Sequence, residues 1–133
     1  MGFSWPVRVY WEDTDAGGVV YYANYLKFME RARSEWLRAL GVGQDALRDE
    51  TGVVFVVRRV EVDYLAPARL DDELGVSVEV HEVGRASLSV RQAICRDATR
   101  LVLSQVTLAC VDAARFKPVK IPALILQALE QAP

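Results

Sequence analysis

Apolar and polar residues alternate with period two at the start of the chain, switch to a helical period near residue 24, and later return to period two. In Trp5–Trp11, Val7, Val9 and Trp11 fall on one side and Arg8, Tyr10 and Glu12 on the other, which predicts a half-buried strand. Asp13–Gly18 is a loop by composition. The short apolar run Val19–Ala23 then leads to Asn24, a side chain suited to capping a helix. Beyond it, Tyr25, Phe28, Met29, Ala32, Trp36, Leu37 and Leu40 recur at helical spacing, with Lys27, Glu30, Arg31, Ser34, Glu35 and Arg38 opposite. This predicts one long amphipathic helix over Asn24–Leu40, about 25 Å in length and stopped by Gly41.

Gln44–Thr51 reads as a polar connection, after which strands dominate. Val54, Val56, Val60, Val62 and Tyr64 are assigned to one face of the next strand, and Phe55, Val57, Arg59, Glu61 and Asp63 to the other. Leu65–Asp72 is a turn. Leu74, Val76, Val78 and Val80 alternate with Gly75, Ser77, Glu79 and His81, and Gly84 closes a hairpin to Ala86, Leu88, Val90 and Ile94. Asp97–Thr99 closes another to Leu101–Val111, where a slip in phase at Ser104–Gln105 predicts a bulge. Ala123–Gln131 reads as a terminal helix with Pro122 at its first turn. Four strands joined by short turns pair antiparallel, and a sheet with one apolar face buries a single amphipathic helix by wrapping it. The fold class expected is therefore α+β: about five antiparallel strands around one long central helix, in a single domain spanning residues 1–133.

Composition narrows the chemistry. The 133 residues are 52% hydrophobic and 26% charged, enough for a core without disulfides or metals. Sixteen basic and eighteen acidic residues are interleaved, for a net charge of -2, which gives no pull toward nucleic acid or anionic membrane. No apolar run approaches the roughly 20 residues of a membrane span, and the start Met1–Pro6 lacks a signal-peptide pattern, so a cytoplasmic location is expected. With one histidine, His81, and two cysteines, Cys95 and Cys110, there are no closely spaced ligand pairs for zinc. Neither a metal nor another cofactor is expected.

The densest polar cluster, Glu12–Gly18, separates the first strand from the helix. It can be a plain acidic turn. As a calcium loop it fails, because Asn24 stands where the bidentate Glu belongs and no helix precedes it. A catalytic reading is open: unpaired N–H groups at a helix start stabilise the oxyanion of an attacked acyl carbonyl. A nearby Asp then acts as general base on water, or attacks directly to give a mixed anhydride. A thioester suits so spare a site because its thiolate leaves without a strong general acid.

The segment VYWEDTDAGGVVYYANY (Val9–Tyr25), followed by FMERAR (Phe28–Arg33), resembles the hotdog-fold acyl-CoA thioesterases. The match points to the 4-hydroxybenzoyl-CoA thioesterase family and its Tol-Pal-associated YbgC branch, and it extends over essentially the whole chain. The resemblance implies a hotdog fold, in which Asp15 is the catalytic carboxylate and backbone N–H groups near Tyr22 polarise the thioester carbonyl. Gly17 and Gly18 would let the main chain approach the substrate without a Cβ in the way, and Asn24 would cap the helix or hold the loop. The branch commonly carries His where this chain has Tyr22. The missing motif histidine also counts against the hotdog hydratases and dehydratases.

Coenzyme A, a part of the substrate and not a cofactor, carries phosphates that call for positive side chains. Arg85 aligns with a nucleotide-contacting basic residue of the hydroxybenzoyl-CoA branch, and Arg58 and Arg59 are candidates on charge alone. His81 falls on a polar strand face, and the two cysteines are expected as free thiols. Open sheet edges imply a homo-oligomer, a dimer or tetramer with the pocket at the subunit boundary. An envelope-associated protein partner would follow from the branch. A hotdog dimer that binds acyl-CoA or a partner without turnover is the competing function, and a hydratase is a third.

Overall fold

The apolar stripe of the long helix is buried: Tyr25, Phe28, Met29, Ala32, Trp36 and Leu37 are inside, and Leu40 packs partly against the same core. The structure, a computed structural model, describes residues 2–130. Its elements in chain order are β1 (Phe3–Arg8), α1 (Asn24–Ala39), α2 (Gln44–Thr51), β2 (Val53–Tyr64), β3 (Glu73–Val83), β4 (Ser87–Arg96), β5 (Thr99–Asp112) and α3 (Ala123–Glu130). The strands form one five-stranded antiparallel sheet in the order β1-β3-β4-β5-β2. The long helix lies across β1 and β3, which leaves β2 as an edge strand beside it. Gly41, at φ 84°, ends α1 in a left-handed turn. The Gly41 N–H then donates to Arg38 O and the Val42 N–H to Leu37 O, so the last carbonyls are satisfied and Val42 is buried. No helix among the described residues is long and apolar enough to cross a membrane.

Four details differ from the sequence reading. Gln44–Thr51 is a short helix and not a plain connection. Its sole buried residue is Leu47, so no apolar period announced it. The first strand stops at Arg8, and the chain enters a 3-10 turn at Trp11–Asp13 that turns Trp11 out to solvent. No bulge falls at Ser104–Gln105; in β2 Val57 pairs with Leu108 and Arg59 with Thr107, so Arg58 is an extra residue, and further shifts skip His81 in β3 and Leu101 in β5. Directly opposed residues share a sheet face. Phe55 and Val57 therefore lie with Val60, Val62 and Tyr64 on the helix side, and Val54 and Val56 lie with Arg59, Glu61 and Asp63 outside. Finally, Asn24 is the first residue of α1 and not its cap; the cap position is Ala23. The terminal helix runs to Glu130, and Gln131 lies outside the described residues.

Candidate active site

Two aspartates two residues apart have opposite environments. Asp13 is buried. Its Oδ2 accepts the Tyr10 N–H at 2.8 Å, its Oδ1 accepts the Asn24 side-chain amide at 3.1 Å, and its carbonyl accepts the Tyr21 N–H at 2.9 Å. Oδ2 closes the 3-10 turn on itself, while Oδ1 and the carbonyl tie the turn to the start of α1. Asp15 is exposed. Its Oδ1 accepts the Gly17 N–H at 2.8 Å, while Oδ2 has no partner among the described residues.

The loop around Asp15 is closed by backbone hydrogen bonds. The Asp15 N–H donates to Val19 O at 2.9 Å and the Gly18 N–H to Asp15 O at 3.1 Å, with Thr14 bridged to Val20. Gly18 sits at φ 81°, a conformation that side chains with a Cβ rarely adopt, so the turn itself demands glycine there. A Cβ on Gly17 would lie 3.2 Å from Asp15 Oδ1 and would crowd the carboxylate. Asp15 lines a cleft of ≈ 500 Å³ together with Trp11, Glu12, Thr14, Ala16, Gly18 and Leu70.

The turn Leu65–Asp72 backs this loop. Val20 N–H donates to Ala68 O at 2.9 Å, Val19 bridges to Arg69, and the buried Tyr25 hydroxyl accepts the Ala68 N–H at 2.9 Å. Asp72 in turn accepts the Arg69 N–H at 2.9 Å and the Arg96 guanidinium at 2.8 Å. Burial pushes the Asp72 carboxyl upward, but those two donors outweigh it and hold it below its ordinary value. Burial also raises the Tyr25 hydroxyl, consistent with its role as a neutral acceptor.

At the helix start, the Asn24 N–H donates to Tyr21 O at 2.8 Å, whereas the Tyr22 and Ala23 N–H groups find no acceptor among the described residues. These are the orphan donors of a helix N-terminus, and they favour a nearby negative oxygen. Tyr64, at the end of β2, donates its hydroxyl to Tyr22 O at 3.1 Å. Its ring lies 6.3 Å from that of Tyr22 and 5.6 Å from that of Tyr25. The Tyr22 ring itself is 63% exposed and does not belong to the core. Tyr64 was not singled out from sequence. Its one signal there was an aromatic residue closing an alternating strand, and nothing in the spacing linked it to residue 22.

Within one chain the cationic candidates stand apart from Asp15. The Asp15 loop adjoins the start of β3, and Arg85 follows its end, roughly 33 Å away by strand rise. Arg58 occupies the β2 bulge and Arg59 pairs with Glu61 at 3.0 Å; both are exposed. His81 is exposed, and Cys95 and Cys110 are free thiols, Cys95 lying opposite Arg100. Burial raises the Cys110 thiol, which suppresses its reactivity.

Comparison with known proteins places these features in context. The model of the thioesterase-like superfamily matches residues 9–129. The chain is 50% identical over 121 residues to the acyl-CoA thioesterase YbgC of Haemophilus influenzae, covering 91% of this chain and 89% of that protein. It is 48% identical over 130 residues to the acyl-CoA thioester hydrolase YbgC of Escherichia coli O6:H1, covering 97% and 96% of the two. Among solved structures, a probable thioesterase from Bartonella henselae superposes with a TM-score of 0.86 at 34% identity, over 92% of this chain and 100% of that one.

Proposed function

The chain belongs to the thioesterase-like superfamily, and from that premise we propose that it hydrolyses acyl-CoA thioesters to a free carboxylic acid and coenzyme A. The observation that carries the site assignment is the contrast between the two aspartates. Asp13 has both carboxylate oxygens engaged in holding the loop, while Asp15 keeps Oδ2 free at an open cleft. The unaccepted Tyr22 N–H supports the same reading as donor to the thioester carbonyl.

The reaction then runs through a tetrahedral intermediate. Tyr22 N–H donates to the carbonyl oxygen as negative charge develops on it, in a fixed geometry that needs no reorganisation. Asp15 Oδ2 either takes a proton from a water that attacks the carbonyl carbon, or attacks that carbon itself. In both routes a C–O bond forms, the C–S bond breaks, and the thiolate leaves to be protonated by solvent. In the second, water then cleaves the resulting anhydride. Single turnover in isotope-labelled water separates them, since label enters the Asp15 carboxylate only by the covalent route.

The substrate class proposed is a small or medium acyl-CoA, acted on in the cytoplasm by a homo-oligomer. The apolar inner face of the edge strand supports an oligomer: Val57 is 48% exposed, Val60 38% and Tyr64 46% in the single chain. A dimer also answers the separation of Asp15 from Arg85, because a second copy brings its own cations to the cleft. An envelope-associated partner belongs to the same proposal. A panel of acyl-CoA substrates with free-thiol detection tests the activity. Thiol release from at least one short or medium chain is expected, and release from none overturns the reading.

A further inference from the structure

One half-buried cation is unused by the mechanism above. Arg33 of α1 donates from Nη1 to Gln92 Oε1 at 2.9 Å, and Gln92 Nε2 donates to Met29 O at 3.0 Å. Among the described residues Arg33 has no carboxylate partner and its other N–H groups have no acceptor. Burial lowers its pKa against a smaller opposing effect from Glu30. Opposite Gln92 in the sheet, Ser104 is 9% exposed and its buried hydroxyl has no hydrogen-bond partner among the described residues. Partly buried charge without a counter-ion, beside an unsatisfied hydroxyl, is an arrangement that an anionic oxygen would relieve.

The register fixes where these groups lie. Gln92, Ser104 and Val62 oppose one another across β4, β5 and β2 on the helix side of the sheet. The adjacent helix-side row is Ile94, Val102 and Tyr64, and Tyr64 bonds the Tyr22 carbonyl at the candidate active site. Two residues along a strand span about 6.7 Å. Because α1 rests on β1 and β3, the inner face of β2 from Tyr64 to Val62 is left as an apolar strip. It runs from the helix N-terminus toward Arg33. Helical side chains lean toward the N-terminus, which brings the guanidinium back along that strip.

Resting on the thioesterase reading, we propose that Arg33, Gln92 and Ser104 close the far end of the acyl groove and select acyl groups bearing a distal carboxylate. The apolar strip takes the methylene chain. The free N–H groups of Arg33 and the Ser104 hydroxyl take the terminal carboxylate, a charge-assisted pairing that a methyl-ended chain does not supply. The preferred substrates are thus monothioesters of short dicarboxylic acids.

The test compares length-matched pairs, glutaryl-CoA with pentanoyl-CoA and adipyl-CoA with hexanoyl-CoA, by thiol release. The wild-type protein is expected to favour the dicarboxylic member by about tenfold or more in kcat/KM. The Arg33→Met variant should lose that ratio, and Ser104→Ala should reduce it. A variant that is merely destabilised lowers both rates together and leaves the ratio intact, so a retained ratio in folded Arg33→Met overturns the proposal. If thermal melting shows that Arg33→Met does not fold, the ratio in Ser104→Ala decides by the same criterion. Equal turnover of both members by the wild type sinks the distal site and leaves the thioesterase reading standing. No thiol from any of the four also overturns the distal site, and no thiol from the whole acyl-CoA panel sinks the thioesterase reading itself.

Discussion

The side-chain amide of Asn24, the first residue of α1, donates to Oδ1 of Asp13 at 3.1 Å, which joins the long helix to the loop that precedes it. Asp13 is buried, so replacing it by alanine strands both the Tyr10 N–H and the Asn24 amide. The Asp13→Ala variant should lose about 2–3 kcal/mol of stability, read by denaturant unfolding. Asp15→Ala, at an exposed position, should unfold within about 0.5 kcal/mol of wild type. Equal losses at the two positions would remove the distinction on which the site assignment rests.

Tyr25 is almost wholly buried and its hydroxyl is the acceptor for the Ala68 N–H. Phenylalanine keeps the ring and leaves that buried donor unsatisfied. Tyr25→Phe should cost about 1–3 kcal/mol and speed amide exchange at Ala68. An unchanged melting curve would show that water replaces the hydroxyl.

Asp72 has a folded pKa depressed below its ordinary value of 3.8, by the Arg69 N–H and Arg96 acting against burial. A depressed carboxylate gives stability that is fully present above the unfolded value and is lost as pH falls through the folded value. Wild type should therefore lose part of its margin below about pH 4, and Asp72→Asn should flatten that segment of the stability-pH curve. Near neutral pH the same variant should cost about 1 kcal/mol. A curve with the same acid slope in both proteins would contradict the assignment.

Much of this architecture was legible because burial and periodicity coincide in it. The stripe of α1 has apolar residues on one face only, and β3 alternates cleanly from Leu74 to Val80. The bulge was misplaced where that coincidence fails. Ser104 and Gln92 put polar side chains on the helix face, so β5 looked slipped. In β2, valines occupy both faces and hid the slip at Arg58. The same logic explains α2, with Leu47 as its one anchor. At the candidate site, motif spacing pointed to the loop that carries Asp13 and Asp15. Which aspartate holds the loop and which is free, and the approach of Tyr64 to Tyr22, depend on chain path and not on local pattern.

Val57 lies on the helix side of the edge strand and is 48% exposed in the single chain. A charge placed there should oppose association through β2. Val57→Lys is expected to lower the mass seen by light scattering at micromolar concentration, with thiol release falling in step. A wild-type protein that is already monomeric under those conditions would exclude a pocket shared between subunits.

The most direct test is thiol release by Asp15→Asn, measured together with its melting temperature and its binding of an acyl-CoA. The account predicts a folded protein that still binds the thioester and turns it over about 10²–10⁴-fold more slowly. Turnover at the wild-type rate in that variant would contradict it and would move the chemistry to another group.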